Sequence, residues 1–145
     1  MPRIPCTPAS GRYASNIQLP LAAAQTFVTG AAVLRDGSGN ITECGADPAS
    51  IYGFSSGKAT KNPVDPTKTI IYPATESETF WFACNVAPTA ANSGINYGIT
   101  KDADGIWYVD FTKVAGSARV YVHEVDTDTN RVRVSVLAAN RQVAP

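Results

Sequence analysis

Apolar and polar residues alternate along most of this chain in short stretches, with a period near two. From Thr26 onward the pattern predicts strands at 26–28, 32–35, 41–44, 52–55, 69–72, 79–86, 97–100, 107–111, 118–126 and 131–138. Gly, Pro, Asn and Asp separate these runs at the spacing expected of a sandwich or barrel. No ten-residue window carries a helical period, so helix content should be low. The polar stretches 58–68, with two prolines, and 87–96 read as loops. The pattern predicts an all-β protein, a small β-barrel or β-sandwich, with residues 25–145 as one domain.

The C-terminal run from Ala118 to Ala138 is the clearest hairpin. A four-residue loop at Thr127–Asn130 pairs Asp126 with Arg131 and Glu124 with Arg133. It sets Val125, His123 and Tyr121 opposite Val132, Val134 and Val136, with the charges on one face and the valines on the other. A second hairpin loop at Lys101–Gly105 feeds the aromatic strand, where Trp107, Val109 and Phe111 share one face and Tyr108 takes the other. The shared face is expected to be core.

Residues 1–24 differ from the body. Pro2, Pro5, Pro8 and Pro20 preclude regular helix and discourage a central strand. Ile4, Tyr13, Ile17, Leu19 and Leu21 are nevertheless spaced apolar anchors. The segment reads as an extended N-terminal arm that orders on a partner subunit through these five residues, with a frayed terminus as the alternative.

Composition narrows the function classes. A chain of 145 residues is long enough to fold around one core without a metal or disulfide staple. Its formal net charge of zero argues against binding nucleic acid through phosphate contacts. Charged residues make up only 17%, which fits a surface that spends its life against other protein. No apolar run has the length of a membrane span, and no signal peptide is visible, so the chain is expected in a cytosol or carried out of it by something else. Cys6, Cys44 and Cys84 form no CxxC pair and read as reduced thiols; with one histidine no metal site is expected.

Candidate chemistry is sparse. His123 has no visible nucleophile or orienting acid, so no catalytic residue is assigned and no enzyme or cofactor is expected. Asp126, Asp128 and Asn130 resemble the start of a calcium loop, but Arg131 and Leu137 stand where glycine and the acidic twelfth residue belong; a hairpin turn is the better reading. Gly37-Ser38-Gly39 lacks the following helix a phosphate loop needs. Trp81, Trp107, Tyr97 and Tyr108 read as core, or in the competing view as a stacking platform for sugars or bases.

One resemblance adds to this. Gly30-Ala31-Ala32-Val33, a Gly/Asn turn, Ile41-Thr42-Glu43-Cys44, then Asp47-Pro48-Ala49-Ser50-Ile51-Tyr52-Gly53-Phe54 with Gly57-Lys58-Ala59, is similar in order to capsid decoration (cement, head-stabilising) proteins of tailed bacteriophages. Glu78-Thr79-Phe80-Trp81-Phe82-Ala83 and the Tyr-Gly-Ile ahead of the Trp-containing strand continue it, so that it covers about residues 25–111. It implies a small β-barrel or β-tulip-like fold with an extended arm. It further implies a virion protein on the outer capsid surface, made in the host cytoplasm, binding the major capsid protein as a homo-oligomer, trimer or dimer, with no nucleic-acid or membrane partner. The alternative is a carbohydrate- or receptor-binding β-module of a virion or bacterial surface.

Overall fold

The computed structural model describes residues 3–11, 14–57, 59 and 68–142. They form eleven strands: β1 Thr7–Pro8, β2 Ile17–Pro20, β3 Ala32–Arg35, β4 Ile41–Glu43, β5 Gly53–Ser55, β6 Lys68–Pro73, β7 Phe80–Ala83, β8 Asn96–Lys101, β9 Trp107–Asp110, β10 Val120–Asp126 and β11 Arg131–Val136. Single 3-10 turns stand at Ala90–Asn92, Ala115–Ser117 and Ala138–Asn140, and no α-helix occurs among the described residues. The all-β class is therefore as the alternation predicts.

The strands make two antiparallel sheets, ordered β1-β7-β11-β10-β8-β9 and β2-β6-β5-β3-β4. Each curls back on itself. In the second, a bridge between Leu21 and Ile41, with Ala22 N–H on the Ile41 carbonyl at 3.0 Å, ties the chain after β2 to β4. In the first, a bridge between Cys84 and Val109 ties the end of β7 to β9. Each bridge covers part of a sheet edge, which otherwise invites pairing with foreign strands. One continuous core joins the sheets. Its centre is Phe54 of β5 against Phe80 and Phe82 of β7, edge to face, with ring centroids 4.7 and 5.1 Å apart.

The described part of the N-terminal segment lies within this architecture. Thr7 and Pro8 pair with Trp81 and Phe80, and Ile17 to Pro20 pair with β6. Cys6 and Leu19 are 5% and 7% exposed and belong to the core. Proline is tolerated here because both strands are outermost in their sheets, where a missing N–H breaks no ladder. Of the strands expected from the sequence, 26–28 is irregular chain. The apolar signal there comes from Phe27, which is buried in the core without being in a strand.

The C-terminal hairpin keeps its expected register at the turn: Asp126 faces Arg131, Val125 faces Val132 and Glu124 faces Arg133. Further along it differs. A bulge at His123 shifts the ladder, so Val122 faces Val134, Tyr121 faces Ser135 and Val120 faces Val136. One extra residue inverts the side-chain parity of β10. Val120 and Val122 thereby point inward and Tyr121 and His123 outward, which satisfies the burial of five valines at once.

Two glycines mark close backbone approaches. A Cβ on Gly53 would overlap the Tyr72 carbonyl oxygen, and one on Gly98 would meet the Ser117 carbonyl at 2.7 Å. Because Gly53 is fully enclosed between β3 and β6, the backbone cannot yield without breaking a ladder. Gly53→Ala should cost at least about 2 kcal/mol in a urea titration, at the upper end of overpacking effects. An unchanged midpoint would show that β5 sits further from β6 than described.

Candidate functional site

β7 ends at Ala83, and the chain runs on beside β9: Asn85 donates its N–H to the Val109 carbonyl at 3.0 Å, and its side-chain oxygen accepts from Phe111 N–H at 3.0 Å. This seam is held from outside by Arg3. The Arg3 guanidinium stacks 3.8 Å from the Tyr108 ring centroid, reaches the Cys84 carbonyl at 3.4 Å and pairs with Asp102 at 3.2 Å. Asp102 is itself fixed by the β8–β9 turn, accepting N–H bonds from Asp104 and Ile106. Burial pushes the Asp102 carboxyl up, but the Ile106 N–H, Arg3 and the Asp104 N–H outweigh it and hold it below the usual range.

Across the seam stands the turn of the C-terminal hairpin. Asp126 accepts N–H bonds from Asp128 and Thr129, and Asn130 takes a left-handed conformation at φ 54°, as Asn tolerates. The turn delivers Arg131, whose Nε donates to Thr129 Oγ1 at 3.3 Å and whose guanidinium lies 5.4 Å from the Trp81 ring centroid. Between the two arginines is an open groove of about 410 Å³. Cys84 and Asn85 form its floor. Ile4, 58% exposed, and Val86, 60% exposed, stand on its rim. No carboxylate is among the described residues that line it.

The five residues expected to bind a partner are dispersed. Leu19 is core; Leu21 is half-buried and packs against the core; Ile17 is 39% exposed at the start of β2. Tyr13 lies outside the described residues. Ile4 alone among the others joins the groove. The sequence signal for the remainder was weak: Val86-Ala87 is a short apolar run at the end of a strand, and the approach of Arg3 to Tyr108 spans most of the chain.

His123 is exposed on the outer face of the bulge, with Nε2 2.8 Å from Ser135 Oγ and its ring edge-on to Tyr121. Loss of hydration and the nearby Arg133 both lower its pKa from 6.5. The folded state thus binds a proton at His123 less readily than the unfolded chain, and stability falls as pH drops below about 6.5. His123→Gln should leave the melting temperature at pH 7 nearly unchanged and slightly reduce its loss between pH 7 and 5. A large loss at pH 7 would give the imidazole a structural role that its exposure does not support.

The thiols of Cys6, Cys44 and Cys84 are free. Burial raises all three, and Cys44 and Cys84 are pushed up to about 12. They are protonated near neutrality and poor nucleophiles. In the Gly37–Gly39 turn, Asp36 accepts the N–H groups of Ser38 and Asn40, so a carboxylate occupies the place an anion would take. Of the four aromatics, Trp107 and Tyr97 are 2% and 5% exposed, while Trp81 and Tyr108 each carry an arginine. They do not present a shared stacking face. The chain matches no known family model, no curated protein and no solved structure.

Proposed function

We propose that this protein is a structural virion component, a decoration protein that binds the outer surface of a tailed-phage capsid and stabilises the shell. The observation that carries the reading is the groove: exposed Ile4 and Val86 beside two arginines, on a body whose sheets are curled and cross-tied. Exposed apolar side chains grouped on a rigid scaffold mark a protein-docking surface. Arginine is enriched at such surfaces and other charges are depleted. The resemblance in segment order to decoration proteins between residues 25 and 111 suggests the class of partner, the major capsid protein. The protein acts by mass action: binding the assembled lattice and not its free subunits stabilises the lattice. Repetition of the site over the shell, and a dimeric or trimeric state, add avidity.

The test is to mix the purified protein with empty shells assembled from the major capsid protein of the same genome. Co-sedimentation with shells, together with a raised temperature of shell rupture, is the expected result. Equal binding to unassembled subunits, or no effect on rupture, overturns the stabilising role.

A further inference from the structure

We propose that the Arg3–Arg131 groove is the docking site itself, and that it takes an extended segment of the partner protein carrying an aspartate or glutamate beside an aliphatic side chain. The inference rests on the capsid reading only for the identity of that partner. Three features argue for the occupant.

The first is charge. Two guanidiniums flank the groove, its other polar lining side chains are amides and a hydroxyl, and none of the described lining residues is acidic. Arg3 has Asp102 behind it; Arg131 faces Asp126 across the ladder and acts on that carboxyl through space, but its guanidinium makes no ion pair within 4.0 Å among the described residues. An incoming carboxylate therefore meets N–H donors not already committed to an acid on the Arg131 side.

The second is preorganisation. A guanidinium stacked on a ring keeps its plane fixed and its donors directed sideways, ready for two-pronged contact with a carboxylate. Arg3 is held by Tyr108, the Cys84 carbonyl and Asp102, and Arg131 by Trp81 and Thr129. Arg3, fixed at 3.8 Å on its ring and by two hydrogen bonds, has little rotamer freedom left to lose on binding, while Arg131, 5.4 Å from its ring, is oriented more loosely.

The third is the apolar rim. Ile4 and Val86 are the two most exposed large hydrophobic residues described in the chain. They sit on one groove, so covering them removes apolar area from water at the place where the charges are neutralised. A free phosphate or a sugar uses the cations or the polar groups but leaves this rim in water. A peptide with neighbouring acidic and aliphatic side chains uses both.

The experiment is selection of a random peptide display library against the full-length protein, followed by fluorescence anisotropy with the enriched peptides. The expected peptides carry Asp or Glu next to Val, Ile or Leu. Arg131→Glu should weaken their binding tenfold or more, and a peptide with Lys in place of its acid should bind that variant better than it binds wild type. Val86→Asp, at an exposed position, should weaken binding similarly and melt as wild type does, and Arg131→Glu, at a half-buried position facing Asp126, should stay folded with a slightly lowered melting temperature. Enrichment of non-acidic peptides, failure of the charge exchange, or undiminished binding by Val86→Asp overturns the proposal. So does a concentration-dependent dimer abolished by Val86→Asp, since the occupant would then be a second copy of this chain. Shell co-sedimentation separates the two levels. Shell binding undiminished in both variants refutes the groove and leaves the decoration role standing. Charge-reversible peptide binding without shell binding refutes the decoration role and leaves the groove.

Discussion

Deletion of residues 1–24 should abolish the cooperative melting transition. The removed segment supplies an outer strand to each sheet, β1 on β7 and β2 on β6. It also supplies Cys6 and Leu19 to the core, and its Leu21–Ile41 bridge ties β2 back to β4. Loss of β1 uncovers one side of β7 beside Phe80, a fully buried ring. Exposing a leucine and part of the apolar surface it covers costs on the order of 2–3 kcal/mol per large side chain. Several such losses approach the whole stability of a small domain, about 5–15 kcal/mol. The check is calorimetry and near-ultraviolet circular dichroism of the truncated protein. A melting temperature within a few degrees of wild type would mean that the segment is an accessory arm, as the proline content alone suggests.

Trp107→Ala should cost about 3–5 kcal/mol, the range for large aromatic truncations in a core. Trp107 is 2% exposed on β9 and faces the core with Val109. Its indole N–H also donates to Glu43 of β4 at 3.1 Å, and Glu43 receives Lys101 of β8 at 2.9 Å. One carboxylate thus ties the outer strands of the two sheets together. Trp107→Ala opens a cavity and removes that tie; Trp107→Phe retains most of the volume and removes the tie alone. The phenylalanine variant should lose only about 1–3 kcal/mol, the cost of a charge-assisted hydrogen bond. Chemical denaturation of both variants separates the packing contribution from the polar one. Equal losses would assign the whole effect to Glu43.

The class of fold was legible because period-two alternation is imposed by the pleat itself, and nine of the expected strands occur among the described residues. Thr26–Val28 failed for a physical reason: one buried phenylalanine surrounded by β-branched residues imitates a strand, whereas the backbone bonds of that stretch go to loop partners such as Ala59. β1 and β2 were hidden by their prolines, which exclude central strands but not outer ones. The bulge was visible in principle. Val120 and Val122 share one parity in β10 and Val125 has the other, so one residue between them must be extra. Of the site, Ile4 carried a signal as a spaced apolar residue. The stacking of Arg3 on Tyr108 and the approach of Arg131 to Trp81 depend on strand order in the first sheet, which local pattern does not encode.

The groove and the capsid reading meet in one measurement. Empty shells assembled from the major capsid protein of the same genome, mixed with saturating purified protein, should be imaged by electron cryo-microscopy. The account predicts repeating β-rich density on the outer surface, with the Arg3–Arg131 groove turned toward the shell and enclosing an extended capsid segment. Bare shells beside fully folded protein would contradict it.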